Sequence, residues 1–166
     1  MELIKSVDHI GYQGPIITSL ITFISLLGKP IYLSMFIIGS FLNYSLNNEL
    51  KMIIKEPRPK NPLPFIDDHL IKGPQIYGMP SGHAQIVSFA ITFLILTKGS
   101  LWLILPSLFI FSLTLIQRWK YRRHTVEQLI VGSFTGSSLS YGCFYFTEFY
   151  LQTRRNIKYI NFFSQV

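Results

Sequence analysis

Three stretches of this chain collect residues that can handle an oxyanion. Lys51, Arg58 and Pro59 lie in the first, Tyr77 through His83 in the second, and Arg118, His124 and Gln128 in the third. Pro57 and Pro59 end any helix before them and hold Arg58 in extended chain. Pro80, Ser81 and Gly82 make a good helix start, and the free backbone N–H groups there suit an anion. His124 and Gln128 are four apart at the head of a later helix, so they share a face. Taken singly, each residue has a duller use. A lone Lys or Arg at a membrane boundary is ordinarily a headgroup contact, and a lone His at a helix start is ordinarily a cap. Two histidines and three chain-distant cations around one anion are the equipment of phosphoryl transfer. The cations and N–H groups bind the equatorial oxygens, one imidazole attacks in line, and the other protonates the departing oxygen.

Whether those residues meet depends on the elements that carry them. The chain has 166 residues, a single-domain length, and one domain over 1–166 is expected. It is 49% apolar and 14% charged, where a soluble domain carries about 25% charge. That excludes a disordered chain and a soluble enzyme with an ordinary charged surface. The single cysteine, Cys143, excludes a disulfide scaffold and a cysteine zinc site. Five apolar segments stand out: Ile16 to Leu27, Ile31 to Leu46, Ala84 to Thr97, Leu101 to Gln117 and Thr125 to Leu151. The first four fall short of the roughly 20 residues of a comfortable span, and snorkelling flanks can lengthen them. Helices that are apolar all round are core helices of a large protein or membrane spans, and this chain is too short to bury five in water. The sequence therefore predicts an all-α integral membrane bundle of about five transmembrane helices.

Smaller signals agree with that prediction. Trp102 and Trp119 bracket the fourth segment as interfacial anchors do. Pro106 inside it is tolerated in membranes. Gly132, Gly136 and Ser140 recur at four-residue spacing and predict a close-packing face on the fifth helix. Glu2 and Asp8 stand where a secretory leader would be basic, so the first helix is expected to be an uncleaved anchor. A net charge of +7 requires an anionic partner: nucleic acid, lipid headgroup or anionic substrate. The basic tail (Arg154, Arg155, Lys158) is short and reads as an interfacial flank. A membrane is the expected partner, and nucleic acid is not.

Alternating helices put the 47–83 and 118–124 segments and the N-terminus on one face. Counting Glu127 at the head of the fifth helix, seven of the eight acids and ten of the fifteen bases belong there. The ten-to-five basic asymmetry favours a cytoplasmic site. Without Lys51, Arg58 and Arg118 it becomes seven to five, too even to orient the bundle.

The three stretches resemble the signature of the type 2 phosphatidic acid phosphatase (PAP2) superfamily: Lys-x6-Arg-Pro, Pro-Ser-Gly-His and Ser-Arg-x5-His-x3-Asp. Lys51, Arg58 and Pro59 meet the first, Pro80 to His83 the second, and Arg118 and His124 the third. Gln117 replaces the usual Ser and Gln128 the usual Asp. The wording from Glu56 to Pro59 and Tyr77 to Ser81, with Gln85, Thr125 and Gln128, is most similar to the dolichyl-diphosphatase branch, in which Gln also replaces Asp. Gly82 departs from that branch, which often has Ser.

The resemblance implies a phosphatase acting on a polyprenyl diphosphate or related lipid phosphate. His124 would be the nucleophile, forming a phosphohistidine, and His83 the general acid. Lys51, Arg58, Ser81, Gly82 and Arg118 would bind phosphate, and Gln128 would orient His124. No metal and no cofactor are called for, since three cations do a metal ion's electrostatic work. An uncharged Gln128 should support an imidazolium less well than Asp. Glu127 either compensates or faces headgroups. Lys120, Arg122 and Arg123 match no motif and read as headgroup or supporting contacts, and His9 and His69 are left out. The segment from Lys60 to Met79, rich in Pro and apolar residues, is expected to lie over the site. The resemblance places the site on the lumenal or exterior side, in the endoplasmic reticulum or another internal membrane for a eukaryotic or viral source. A lipid phosphotransferase using the same site, and an inactive lipid-binding protein, remain alternatives.

Overall fold

The computed structural model describes residues 2–65 and 72–163, with side chains for 6–65 and 72–157. His69, Ile66 and the side chain of Lys158 lie outside the described residues. Among the described residues five α-helices follow one another: α1 (Glu2–Ser25), α2 (Pro30–Ile54), α3 (Gly82–Leu96), α4 (Leu101–Lys120) and α5 (Val126–Phe163). Among the described residues the only further regular element is a 3₁₀ turn, Gly73–Ile76, and an isolated antiparallel bridge joins Pro57 to Tyr77.

Local chemistry sets the helix ends. Pro30 opens α2 with its φ already helical and no N–H to leave orphaned. Lys55 closes α2 in the left-handed conformation and returns its N–H to the Lys51 carbonyl. Ser81 caps α3 and Ser100 caps α4, each hydroxyl accepting a backbone N–H. Thr125 and Gln128 form a reciprocal capping box at the head of α5. The Thr125 hydroxyl accepts the Gln128 N–H and Gln128 Oε1 accepts the Thr125 N–H, both at 3.3 Å.

The shortest helix, α3, is the centre of the bundle and packs against all four others. Its 15 residues are mostly buried, and Phe89 and Phe93 meet Phe36, Leu26 and Cys143 in the core. The expected small-residue face lies on α5 against α3. A Cβ at Gly132 would strike the Ser81 backbone, and one at Gly136 the Gln85 carbonyl. The two glycines thus bring α5 down onto the segment that carries His83.

The ends of the bundle match the alternation expected from the sequence. Asp8 of α1 accepts from Lys120 Nζ at 2.6 Å and from the Tyr121 hydroxyl at 2.9 Å. At the opposite end Lys29 donates to the Thr97 carbonyl at 2.5 Å, and Tyr32 hydrogen-bonds Glu148. Outward faces are apolar: Phe41, Phe109 and Phe134 are 71%, 65% and 73% exposed. Trp102 and Trp119 are exposed on α4 rather than part of the core, and Pro106 sits within an unbroken helix. Among the described residues only α4 is both long and apolar enough to cross a membrane by length and composition. α3 is short, and α1, α2 and α5 carry charged or polar residues along their length.

Candidate active site

A cavity of about 260 Å³ opens at the end of the bundle where α1, residues 55–65 and 72–81, and the α4–α5 turn meet. Its wall holds Arg58, Gly82, His83, Arg118 and His124, together with Tyr12, Tyr44, Asn47, Gln75 and Ile86. Five of the eight residues singled out from the sequence therefore face one space. Lys51, Ser81 and Gln128 stand immediately behind it, all fully buried.

Each is held by its own neighbourhood. Lys51, one turn from the end of α2, donates to the Tyr77 carbonyl at 2.8 Å. Arg58 donates from Nε to the Gln75 carbonyl at 2.9 Å and from Nη1 to the Arg123 carbonyl at 3.1 Å. Two backbone acceptors thus fix the guanidinium plane before any ligand arrives. Arg118 is buried in the last turn of α4, its guanidinium 5.8 Å from the Tyr12 ring centroid. His83 lies in the first turn of α3, its ring centroid 5.4 Å from that of Tyr12. Ser81 caps α3, its hydroxyl accepting from Ala84 N–H at 3.5 Å, and its own N–H donates to the Gln128 carbonyl at 3.0 Å. Beneath it Asn47 donates to the Pro80 carbonyl and to Gln85 Oε1, and Gln85 donates to Asn43. That buried amide chain locks α2 to the head of α3.

His124 is 2% exposed. Its Nδ1 lies 2.9 Å from the Gly78 carbonyl and 3.2 Å from Gln128 Oε1. Both are acceptors, so Nδ1 carries the proton. Nε2 then presents a lone pair to the cavity, where Arg58 Nη1 stands 3.3 Å away. A neutral ring with Nε2 free of hydrogen is the nucleophilic form of histidine. Burial first, then the Arg58, Arg118 and Lys51 charges and the neighbouring His83, hold the imidazole well below its ordinary protonation range. The same three cations act on His83. Positive charge from three separate elements therefore converges on both rings.

Other expectations resolve individually. Glu127 is exposed and is not the partner of His124. Lys120 pairs with Asp8, Arg122 is exposed, and buried Arg123 donates to the Leu63 carbonyl at 3.1 Å. That last bond, with Leu63 N–H on the Tyr121 carbonyl, lays residues 60–65 across the α4–α5 turn. Phe65 there packs against the rings of His9, Tyr12 and Tyr121. Gln75 brings the 3₁₀ turn to the cavity wall. Gln117 is buried, and its amide makes no hydrogen bond among the described residues.

Sequence reasoning missed several contributors. Tyr12 lies in a stretch with no motif. Asn47 carried no motif, and Gln85 stood out only within the resemblance. Gly78 lay within the second stretch without a role of its own, yet a Cβ there would overlap the Gln128 amide. Glu56 was visible only as one letter of a resemblance. Its carboxylate accepts from Gln128 Nε2 at 2.7 Å, and its carbonyl accepts from Gly78 N–H at 2.7 Å.

A second, larger cavity of about 650 Å³ lies between α3, α4 and α5, lined almost wholly by apolar groups, with Phe111, Leu115 and Phe134 among them. Trp119 and Val126 border it and also border a smaller recess that reaches His124.

Comparison with known proteins adds an independent line. Residues 30–151 match the family profile described as PAP2 superfamily. A Saccharomyces cerevisiae protein named dolichyldiphosphatase is 32% identical over 157 residues, an alignment covering 81% of this chain. The same alignment covers 63% of the yeast protein, so the chain spans less than two thirds of its relative's length. No solved structure matches.

Proposed function

The chain belongs to the PAP2 superfamily, and from that premise we propose that it is a membrane phosphatase removing the terminal phosphate of a polyprenyl diphosphate or related lipid phosphate. The observation that carries the reading is His124: Nδ1–H on the Gly78 carbonyl and Nε2 turned to the cavity it shares with His83, Arg58 and Arg118. Similarity to the yeast protein supports the lipid class.

The steps follow from the groups present. Arg58, Arg118 and the Gly82 N–H at the head of α3 take the phosphoryl oxygens, with Lys51 adding positive charge from behind. His124 Nε2 attacks phosphorus in line and the bond to the lipid-phosphate oxygen breaks. His83 gives that oxygen a proton. The negative charge brought by the substrate offsets the three cations, so His83 takes up its proton as the substrate binds. Water, deprotonated by His83, then attacks the phosphohistidine, releasing inorganic phosphate and restoring His124.

We read the bundle as an integral membrane protein, with the other helices spanning alongside α4. Outward-facing Phe41, Phe109 and Phe134 support this, as do the exposed Trp102 and Trp119 at the two ends of α4. The site then lies at headgroup depth, and the apolar groove beside it offers the prenyl tail a path within the bilayer.

The test is phosphate release from dolichyl diphosphate in detergent. His124→Ala should release none while retaining the wild-type helical signal. The wild type should yield an acid-labile phosphohistidine. Undiminished release from His124→Ala would remove this histidine from the reaction.

A further inference from the structure

Both acceptors on His124 Nδ1, the Gly78 carbonyl and Gln128 Oε1, are neutral oxygens. The nearest carboxylate in the hydrogen-bonded chain is one amide away. Gln128 Nε2 donates to Glu56 Oε1 at 2.7 Å and to the Pro57 carbonyl at 2.9 Å. Its Oε1 accepts from the Thr125 N–H at 3.3 Å and faces His124 Nδ1 at 3.2 Å. Two acceptors on one side and two donors on the other leave a single way to place the amide. Gly78 lies flat against it, with no room for a Cβ.

We propose that Glu56 is a positioning residue for the nucleophile, acting through Gln128. Its carboxylate orients and polarises the amide so that Oε1 supports the positive charge His124 acquires when Nε2 bonds phosphorus. The inference rests on the phosphatase reading above. An amide that donates to a carboxylate has a more negative carbonyl oxygen, because linked hydrogen bonds polarise one another. When Nε2 forms its bond to phosphorus with Nδ1–H in place, the ring carries a positive charge directed at Gly78 O and Gln128 Oε1. A carboxylate behind the amide answers that charge, and a neutral group there does not. Glu127 cannot serve, since it is exposed. The charged groups acting on the ring are Arg58, Arg118 and Lys51, with His83 beside them, and all of them oppose its positive form. Glu56 does not line the cavity and reaches the ring through the Gln128 amide. Its backbone carbonyl also holds the Gly78 N–H, so side-chain substitution leaves the Gly78 contact in place and isolates the carboxylate.

The experiment uses full-length protein in detergent with dolichyl diphosphate. Glu56→Gln keeps the shape and an acceptor oxygen but removes the charge. It should lower kcat of order tenfold with KM nearly unchanged. Adding Gln128→Asp to Glu56→Gln puts a carboxylate directly on the ring and should recover most of that loss. Glu127→Gln should leave kcat at the wild-type value. A wild-type kcat in Glu56→Gln, or equal losses in Glu56→Gln and Glu127→Gln, would overturn the inference while leaving the phosphatase reading intact. A second measurement needs no turnover: the titration of His124 followed by nitrogen NMR of histidine-labelled protein. Glu56→Gln should move that titration to lower pH and Glu127→Gln should not. An unmoved titration would refute the relay even if the substrate were wrongly chosen. An inert wild type with a shifted titration would instead sink the phosphatase reading alone.

Discussion

Arg58 offers a way to separate charge from geometry. Its guanidinium is fixed by the carbonyls of Gln75 and Arg123, with Nη1 3.3 Å from His124 Nε2. Arg58→Lys keeps the charge but loses the planar fork. The loss amounts to one charge-assisted hydrogen bond to the phosphoryl group, about 1.5–3 kcal/mol. At about 1.36 kcal/mol per tenfold, kcat/KM should fall roughly 10- to 150-fold. Arg58→Gln also removes the charge. A unit charge about 4 Å from another at an effective dielectric near 20 is worth about 4 kcal/mol, so the fall should approach roughly a thousandfold. The two variants should also differ in pH dependence. His124 is held below its ordinary protonation range by burial and then by Arg58, Arg118 and Lys51. A depressed value keeps the ring neutral, and nucleophilic, as pH drops through its ordinary range, and activity is lost only at lower pH. Removing the Arg58 charge lets the value rise, so the acid limb of kcat/KM should move up in Arg58→Gln and stay in place in Arg58→Lys. Phosphate release from dolichyl diphosphate measured across roughly pH 4.5 to 8 reads both effects. An acid limb unmoved by Arg58→Gln, or equal activity in Arg58→Lys and wild type, would refute the assignment.

Two further outcomes follow from the packing. Gly78→Ala should push the Gln128 amide off its four partners, lowering kcat of order tenfold with a reduced Tm, as steady-state kinetics and thermal unfolding in detergent would show. Val126→Trp, at a residue that borders both the apolar groove and the recess beside His124, should weaken kcat/KM for a long polyprenyl diphosphate of order tenfold and spare a short, water-soluble one. Equal effects on both substrates would mean the tail does not follow that groove.

The helix count and the shared face of the histidines were legible because they depend on counting and periodicity. Apolar runs interrupted by Gly28 and Pro30, Lys98 to Ser100, and Arg118 to His124 mark helix ends by local chemistry alone. The number of membrane spans was less legible, since a run of apolar residues does not state the length of the helix containing it. α3 stops at 15 residues, and α1 begins well before the apolar run at Ile16. Lys51, Arg58 and Arg118 could be found because a cation in an apolar protein is conspicuous. Glu56 was hidden for the opposite reason. A carboxylate beside a proline in a polar segment looks like solvent-facing chain. Only folding brings it to Gln128, 72 positions away. Gly78 was hidden because nothing in a glycine announces which side chain needs its missing Cβ.

Where the carboxylate sits also bears on what the site is built to hold. Among the described residues no Asp or Glu lines the cavity, while Arg58 and Arg118 do and Lys51 stands behind. An aspartate against the nucleophile would lie close to the phosphoryl group and offset part of that field. Coulomb energy falls with distance: at an effective dielectric near 20, like charges repel by about 4 kcal/mol at about 4 Å and about 2 kcal/mol at about 8 Å. Interposing the Gln128 amide moves the negative charge back by the length of a side chain while its carbonyl oxygen stays on the ring. The cations then act on the substrate with less opposition, a gain that grows with the substrate's charge. A diphosphate gains more from that arrangement than a monoester does. On this argument Glu56 and Gln128 together suit the site to the more highly charged headgroup, so adding Gln128→Asp to Glu56→Gln should narrow the preference for diphosphate over phosphatidic acid even as it restores turnover.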